Sequence, residues 1–397
     1  MHRKLLVAGF AAAALVLAGC SSDSDGDAAE TTAETTEETT AETAEEVEAE
    51  TTDIEEVEEE LADEVTSDEE AAAGPTTDDS DCAAEENICI GLVTDTGKVD
   101  DKSFNQAAWE GTLTAADTTG GFAKYIETVD PKDYANNIGQ FAAANYDTIV
   151  TVGFLMAEAT IAAATEYPDI DFIGVDQFQG EAVPNLAGLV FREDHAGYAA
   201  GYLAGLMTQT NKIGTALGTD TVPPVKLFGE GFKAGAIAAN PEAEVTLVYH
   251  EPNNAFGDPE WGAAESRKQL DQGADVIFAA GGATGNGGLI EIAKDPGAGT
   301  TVFCIGVDVD QFFTVPQAAP CLITSAEKKL VAGTDALVRA SVAGEMAGGN
   351  FVGPTGLAPY HDTAAAVPDD VKAAVDEVLA GLEDGSIDTG CPACLDN

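Results

Sequence analysis

The chain has 397 residues and carries 71 Asp and Glu against 17 Lys and Arg, which gives a net charge of −54. A chain this acidic does not bind nucleic acid through phosphate contacts, because those contacts need clustered Lys and Arg. Its length exceeds what one hydrophobic core usually serves, so we expect a body of two lobes.

The first segment, residues 1–20, has the pattern of a lipoprotein signal peptide. His2, Arg3 and Lys4 precede an apolar run over residues 5–17, and the sequence LAGC follows and ends at Cys20. The apolar run is shorter than the ~20 residues that a membrane-spanning helix needs. We therefore expect lipid to be attached to Cys20 and to anchor the protein at the extracytoplasmic face of the cell membrane.

Residues 21–81 form a low-complexity segment with 26 Asp or Glu and no Lys or Arg. Such a composition cannot bury enough apolar surface to fold, so it predicts an acidic disordered tether. A weak apolar stripe at helical spacing (Ile54, Val57, Leu61 and Val65) leaves a transient helix as the alternative. Residues 1–20 contribute +2 and the tether −26, so residues 82–397 still carry −30, which is typical of a solvated acidic surface.

Six cysteines remain besides Cys20, and an even number in an exported chain predicts disulfides. Their spacing suggests the pairs Cys82–Cys89, Cys304–Cys321 and Cys391–Cys394, although sequence does not fix connectivity. The last pair has the spacing of a redox dithiol, but it lies in a tail, residues 391–397, without the strand-to-helix setting of such motifs.

The histidines do not indicate a metal site. His195, His250 and His361 show no zinc-ligand spacing with the cysteines. We expect no metal and no cofactor.

From residue 88 onward, short apolar runs alternate with amphipathic or Ala-rich stretches. This alternation predicts an α/β fold with parallel sheets covered by helices on both faces. Two sheets of five or six strands would give a bilobed body. The predicted strands cover residues 88–94, 123–128, 148–152, 170–175, 186–191, 213–217, 245–249, 276–280, 302–307 and 322–324, and the clearest helices cover 134–144, 156–166, 195–207, 226–239 and 261–272.

The most informative segment, residues 95–106, reads DTGKVDDKSFNQ and lies between a predicted strand and a predicted helix. Ligands of open α/β sheets bind at the carboxyl ends of strands, where such loops gather. Phe104 is suited to stacking on a flat ligand, and Asp95 and Asn105 to hydrogen bonding with its edge. Ser103 and Gln106 have the spacing of a capping box at the start of the helix.

Four further loops should reach the same edge of their sheets. They carry Asp176, Phe256, the Gly-rich run 280–287, and Asp308 followed by residues 325–328. Capping of the following helices is the alternative role for the two aspartates. A tight turn is the alternative for the Gly-rich run, which lacks the Lys of a phosphate-binding P-loop.

The 95–106 motif resembles the basic membrane protein (BMP) family, whose members are lipid-anchored substrate-binding proteins of ABC transporters, several of which bind purine nucleosides. The resemblance implies a type I periplasmic-binding-protein-like fold with two doubly wound lobes joined by three hinge crossings. Lobe one would comprise residues 88–192 with 309–348, and lobe two residues 193–308 with 349–390.

The resemblance also implies a ligand site. Two rings would sandwich the base, three side chains would recognise its edge, and three residues would hold the ribose hydroxyls. The residues are, in that order, Phe104 and Phe256; Asn105, Asp95 and Asp176; and Gly282, Asp308 and Lys328. Because Lys329 is adjacent to Lys328, the sequence leaves open which of the two lysines faces the cleft.

The implied function is capture of guanosine, inosine or adenosine by a monomeric binding protein that delivers it to an ABC permease and its ATPase. We do not expect an enzyme: a nucleoside hydrolase needs a clustered metal-binding aspartate set, and the motif offers only Asp100 and Asp101, which fit a helix start. Because a fold does not fix its ligand, a sugar or an autoinducer is the alternative ligand. A receptor for a membrane sensor is the alternative role.

Overall fold

The computed structural model describes residues 82–84 and 86–391; the expected signal peptide, the tether and residues 392–397 lie outside this part. Within the described part the chain forms twelve β-strands, which are β1 (Cys89–Thr96), β2 (Phe122–Thr128), β3 (Thr148–Val152), β4 (Asp171–Val175), β5 (Leu186–Phe191), β6 (Lys212–Leu217), β7 (Glu244–Thr246), β8 (Val276–Ala280), β9 (Phe303–Asp308), β10 (Leu322–Lys328), β11 (Gly349–Gly353) and β12 (Thr355–Leu357).

The same part of the chain forms ten α-helices, most of them between consecutive strands. They are α1 (Phe104–Thr119), α2 (Tyr134–Ala143), α3 (Ala157–Glu166), α4 (Glu193–Met207), α5 (Pro223–Ala239), α6 (Pro259–Asp271), α7 (Gly282–Ile292), α8 (Gln311–Thr314), α9 (Leu330–Val342) and α10 (Asp369–Glu383).

The strands form two six-stranded sheets with the same arrangement. Sheet one has the order β11-β5-β4-β3-β1-β2, and sheet two has the order β12-β10-β9-β8-β6-β7. Pairing is parallel throughout except between β10 and β12. Parallel strands need crossover connections, which the helices supply. The predicted α/β fold with two doubly wound lobes is confirmed.

The chain passes between the sheets three times, as expected, but two of the three crossings do not lie where they were expected. It crosses after β5, after β10 and between β11 and β12. The expected boundaries assigned residues 309–348 to lobe one and 349–390 to lobe two. These boundaries are wrong, because β10 pairs with β9 in sheet two and β11 pairs with β5 in sheet one.

The misplaced boundary has a physical cause in strand β10. The sequence predicted a strand over 322–324 that ends where polar residues begin. In the structure the ladder continues, with Ala326 paired to Val307 and Glu327 to Asp308. Residues 325–328 are therefore strand rather than turn, and all of β10 is buried. A polar sequence at a buried strand end is typical of a functional site.

Each sheet is buried on both faces. In β1, Ile90 and Leu92 pack with α1 and α9, whereas Val93 packs on the other face with the α2 residues Ile138 and Phe141. This burial explains the continuous apolar runs that identified the strands, because a strand covered on both faces has no solvent-facing side. Lobe two is built in the same way around β8 and β9.

Two of the three suggested disulfides are present. Cys82 is bonded to Cys89 at the start of β1, and Cys304 of β9 is bonded to Cys321 just before β10. The third suggested pair includes Cys394, which lies outside the described residues, so that pairing stays a prediction. Cys391 forms no disulfide with another described cysteine.

Helices α4 and α5 of lobe two pack with their backbones in contact. Gly197, Gly201 and Gly205 recur every four residues along α4 and face α5. A Cβ at Gly201 would overlap the carbonyl oxygen of Phe232. Glycine is needed here because any side chain would push the helices apart, and α5 carries Phe228 into the cavity described below.

We predict that Gly201→Ala destabilises the protein, by ~1–3 kcal/mol as for other overpacked interiors. Gly139→Ala is the matched control, because Gly139 lies inside α2 with nothing within 4 Å of an added Cβ. There, alanine's better helix propensity should raise stability by up to ~1 kcal/mol. Thermal unfolding followed by circular dichroism measures both, and a Gly201→Ala variant as stable as the parent would contradict the packing described.

Candidate functional site

A cavity lies between the two sheets, at the carboxyl ends of their strands. Both lobes contribute to its walls, which also include Asp101, Phe154 and Phe228. All eight residues expected at the ligand site line this cavity: Asp95, Phe104, Asn105, Asp176, Phe256, Gly282, Asp308 and Lys328.

The buried ammonium group of Lys328, at the end of β10, lies among carboxylates from both lobes. Its Nζ is 2.6 Å from Oδ2 of Asp176, 3.5 Å from Oδ1 of Asp308 and 3.7 Å from Oε1 of Glu193. The neighbouring Lys329 is half-exposed and pairs with Glu327 instead. Lys328 is therefore the lysine that faces the cavity.

The ammonium group also lies against aromatic rings. Its Nζ is 4.5 Å from the ring centroid of Phe104, 5.5 Å from that of Phe191 and 5.6 Å from that of Phe228. A cation over a ring face is attracted by the ring quadrupole, most strongly where water is excluded. The carboxylates explain how a lysine with 2% side-chain exposure stays charged: they raise its pKa, against the effect of burial.

Asp176 and Asp308 occupy equivalent positions, at the carboxyl ends of β4 and β9. Both have left-handed backbone conformations, with φ of 58° and 67°. For residues with a Cβ this costs roughly 1–2 kcal/mol, and it persists only where surrounding contacts hold it. Neither caps a helix, because Asp310 caps α8 and Asp176 precedes a loop. Both instead contact Lys328.

The start of α1 departs from the predicted capping box, which is wrong. The Ser103 hydroxyl does not cap the helix but donates to Oδ2 of Asp308 at 2.8 Å, and Gln106 donates to Glu110. Asp101 takes the capping role: its carboxylate accepts from the backbone N–H groups of Ser103, Asn105 and Gln106 at 2.9, 3.0 and 3.1 Å. This contact orients Phe104 and Asn105 toward the cavity.

Three hydrogen bonds from lobe two hold the turn formed by residues 101–103 of lobe one. Asn286 donates to the carbonyl of Asp101 at 2.8 Å, Thr314 donates to the carbonyl of Lys102 at 2.7 Å, and Asp308 accepts from Ser103. Lys102 itself has a left-handed conformation, with φ of 63°. The turn that precedes the cavity-facing residues is thus also where the closed lobes meet.

Two acceptor atoms at the cavity have no partner in the protein. They are Oδ1 of Asn105 and Oδ1 of Asp176, and both residues are buried. A buried polar atom without a partner costs ~1–3 kcal/mol, so it marks a place where a ligand donor would be stabilising. Because the cavity has unpaired acceptors and few donors, we expect its ligand to supply N–H or O–H groups.

Crowding of carboxylates changes their protonation. Burial, together with the charges of Asp101 and Asp176, raises the pKa of Asp95 to about 7. Burial also raises the pKa of Asp101 to about 6, against the backbone N–H groups it accepts from. Asp95 is packed so closely that a Cβ at Gly153, whose φ is 113°, would overlap its carboxylate. At neutral pH the cavity therefore holds fewer negative charges than it has carboxyl groups.

Loops of lobe two supply the remaining predicted residues. Phe256 lies against Gly218, the residue after β6, and Gly282 begins α7 with a left-handed φ of 53°. A Cβ on Gly282 would lie 3.2 Å from the carbonyl oxygen of Phe256. Gly282 therefore packs closely against the loop that carries Phe256.

Sequence reasoning missed Glu193 and the roles of Ser103 and Asn286. Glu193 carried no signal, because it follows a predicted strand as an ordinary charged residue does. In the structure it is buried, with 3% exposure.

Among the described residues no group of three or more His, Cys, Asp or Glu is arranged to hold a metal ion. No helix in that part is long and apolar enough to cross a bilayer.

Comparison with known proteins identifies the family. Residues 89–352 match the family described as ABC transporter substrate-binding protein PnrA-like, Bmp. The chain belongs to this family. Like other Bmp proteins it is a substrate-binding component of an ABC transporter, and not an enzyme.

Relatives and solved structures agree with this assignment. The chain is 31% identical over 341 residues to a CD4+ T-cell-stimulating antigen of Listeria innocua serovar 6a, covering 80% of this chain and 92% of that one. It is 30% identical over 227 residues to the ABC transporter nucleoside-binding protein BmpA of Lactococcus lactis subsp. cremoris, covering 55% and 63%. A solute-binding protein of an ABC transporter system from Aeropyrum pernix K1 superposes with a TM-score of 0.68 at 23% identity, covering 78% and 95%.

We predict that Asp95→Asn stabilises the ligand-free protein at pH 8 more than at pH 4. Asp95 has a folded-state pKa of about 7 against an ordinary 3.8, so the stability present below about pH 4 is lost as the pH rises through 7. The amide does not ionise and avoids this loss. The melting temperature of the variant should exceed that of the parent by a few degrees at pH 8.

The control is Asp117→Asn on the exposed face of α1, which should show no such pH-dependent difference. A melting-temperature difference between Asp95→Asn and the parent that stays constant from pH 4 to 8 would show that Asp95 is not desolvated.

Proposed function

We propose that this Bmp protein captures a purine nucleoside in the cavity between its lobes and delivers it to an ABC permease and its ATPase. The observation that carries the proposal is the composition of the cavity between the lobes. Rings from both lobes line it, together with buried acceptors that have no partner in the protein.

The rings suit the base. Phe104 comes from lobe one and Phe256 from lobe two, and both line the cavity. A base stacked between them would contact both lobes at once and so bind the closed state better than the open one, which is the condition for a ligand to shift the equilibrium. Asn105, Asp95 and Asp176 would accept hydrogen bonds from the edge of the base.

The polar groups of lobe two suit the ribose. Asp308 and Lys328 lie 3.5 Å apart at the cavity wall. A carboxylate beside an ammonium can accept from one hydroxyl of a vicinal diol while the ammonium donates to the other. The backbone of Gly282 would complete this half of the site.

Charge favours an uncharged ligand over a nucleotide. The cavity is lined by four aspartates and a single lysine, and that lysine is already paired with carboxylates. Phosphate recognition uses Arg, Lys or helix N-termini free to contact it. The Lactococcus relative is named a nucleoside-binding protein, which supports a nucleoside here.

The proposal includes the site of action. Acylation at Cys20 would anchor a monomeric protein to the extracytoplasmic face of the cell membrane, and the acidic segment 21–81 would act as a tether. Both segments lie outside the described residues. The sequence features that support this are the charged start, the short apolar run and the LAGC sequence at Cys20.

We predict that Phe104→Ala and Phe256→Ala each weaken guanosine binding about tenfold to a hundredfold, because a stacked base contributes ~1–3 kcal/mol. Isothermal titration calorimetry measures the affinity. Phe313→Ala is the matched control, since Phe313 is 70% exposed and does not line the cavity.

The proposal fails if both ring variants bind guanosine as the parent does. A parent that binds ribose but no nucleoside would instead favour a sugar-binding protein on the same fold.

A further inference from the structure

Glu193 contacts the cavity lysine from outside the cavity. It is the first residue of α4, directly after the first passage between lobes, whereas Lys328 is the last residue of β10, directly before the second passage. Oε1 of Glu193 and Nζ of Lys328 are 3.7 Å apart, and the side chains are 4% and 2% exposed. Two hinge crossings therefore meet through one buried contact.

Lys328 has three carboxylate neighbours that differ in position. Asp176 and Asp308 line the cavity, and Glu193 does not. Oδ2 of Asp308 already accepts from Ser103, so only its Oδ1 faces the ammonium. Without Glu193, every carboxylate near Nζ of Lys328 would lie at the cavity wall. The flexible four-carbon side chain of Lys328 would then be free to turn into the cavity.

We propose that Glu193 is a positioning residue of the ligand site, which holds the ammonium of Lys328 back between Asp176 and Asp308. The hydroxyls of a ribose would then meet a fixed donor and a fixed acceptor. The inference rests on the proposed function for its ligand, but the position of Lys328 is a property of the protein alone.

Several charged groups face Glu193 and set its protonation. Burial and the carboxylates of Asp176 and Asp194 raise its pKa to about 8, although the positive charge of Lys328 opposes this rise. Near pH 6.5 Glu193 is therefore mostly a neutral carboxyl group, whose Oε1 lies 3.7 Å from Nζ of Lys328. Glutamine reproduces that state, and alanine does not.

The first test needs no ligand. In protein labelled with 13C-lysine, the ε-methylene of an immobile lysine gives two separate proton resonances, and Lys328→Met identifies those of Lys328. We expect the two resonances to remain separate at pH 6.5 in the parent and in Glu193→Gln, and to merge in Glu193→Ala. If Glu193→Ala does not fold, Glu193→Asp, whose carboxyl group is withdrawn by one methylene, should give the merged signal.

The matched control is Glu265→Ala, a comparably buried glutamate in α6 that pairs with Lys268 at 2.8 Å, away from the cavity. It should leave the Lys328 resonances unchanged. Unchanged resonances in Glu193→Ala, or in Glu193→Asp where alanine does not fold, would overturn the proposal. So would merged resonances in Glu193→Gln at pH 6.5.

The second test compares ligands with and without ribose. In Glu193→Ala we expect inosine to bind about tenfold more weakly and hypoxanthine to change by less than about twofold, because only the ribose contacts depend on Lys328. An equal loss for both ligands would indicate a general structural defect and overturn the proposal. If the parent binds no nucleoside, the proposed function fails, and the lysine resonances still decide the role of Glu193.

Discussion

The burial of one ammonium group, that of Lys328, determines how this protein is organised around its cavity. Taking a charge out of water costs several kcal/mol unless partners compensate it. Here the partners come from both lobes: Asp176 follows β4 of sheet one, Asp308 ends β9 of sheet two, and Glu193 begins the first helix after the hinge. The closed arrangement of the lobes is therefore also the arrangement that satisfies this charge.

The two sheets have the same strand order, and this equivalence explains the positions of the two aspartates. β4 and β9 are the third strands of their sheets, and the sequence Ile-Gly-Val-Asp occurs at the carboxyl end of each, with Asp176 directly after β4 and Asp308 as the last residue of β9. When the lobes face each other, equivalent strand ends approach across the cavity, which places two carboxylates near one point. The left-handed conformations of Asp176 and Asp308 are held there by a shared cation, Lys328, which lobe two supplies.

Local pattern predicted much of this protein because its strands are buried on both faces and its helices are regular. The alternation of elements predicted the two sheets, and the loops at strand ends, together with the family resemblance, predicted eight of the residues that line the cavity. Strand β10 was predicted too short, since Ser325, Glu327 and Lys328 look like a turn when their partners are unknown. β11 was not predicted, because a short strand rich in glycine is defined by pairing with β5 rather than by its own residues.

The roles of Ser103 and Glu193 could not be predicted, because each depends on a residue far away in sequence. Ser103 has the spacing of a helix cap, yet its partner is Asp308, 205 residues later.

The central claim is that this cavity, with its carboxylates and one lysine that is already paired with them, accepts a neutral nucleoside and excludes a phosphate. Calorimetric titration with guanosine and with guanosine 5′-monophosphate tests it most directly. The account predicts that the nucleotide binds at least about a hundredfold more weakly, and equal or tighter binding of the nucleotide would contradict it.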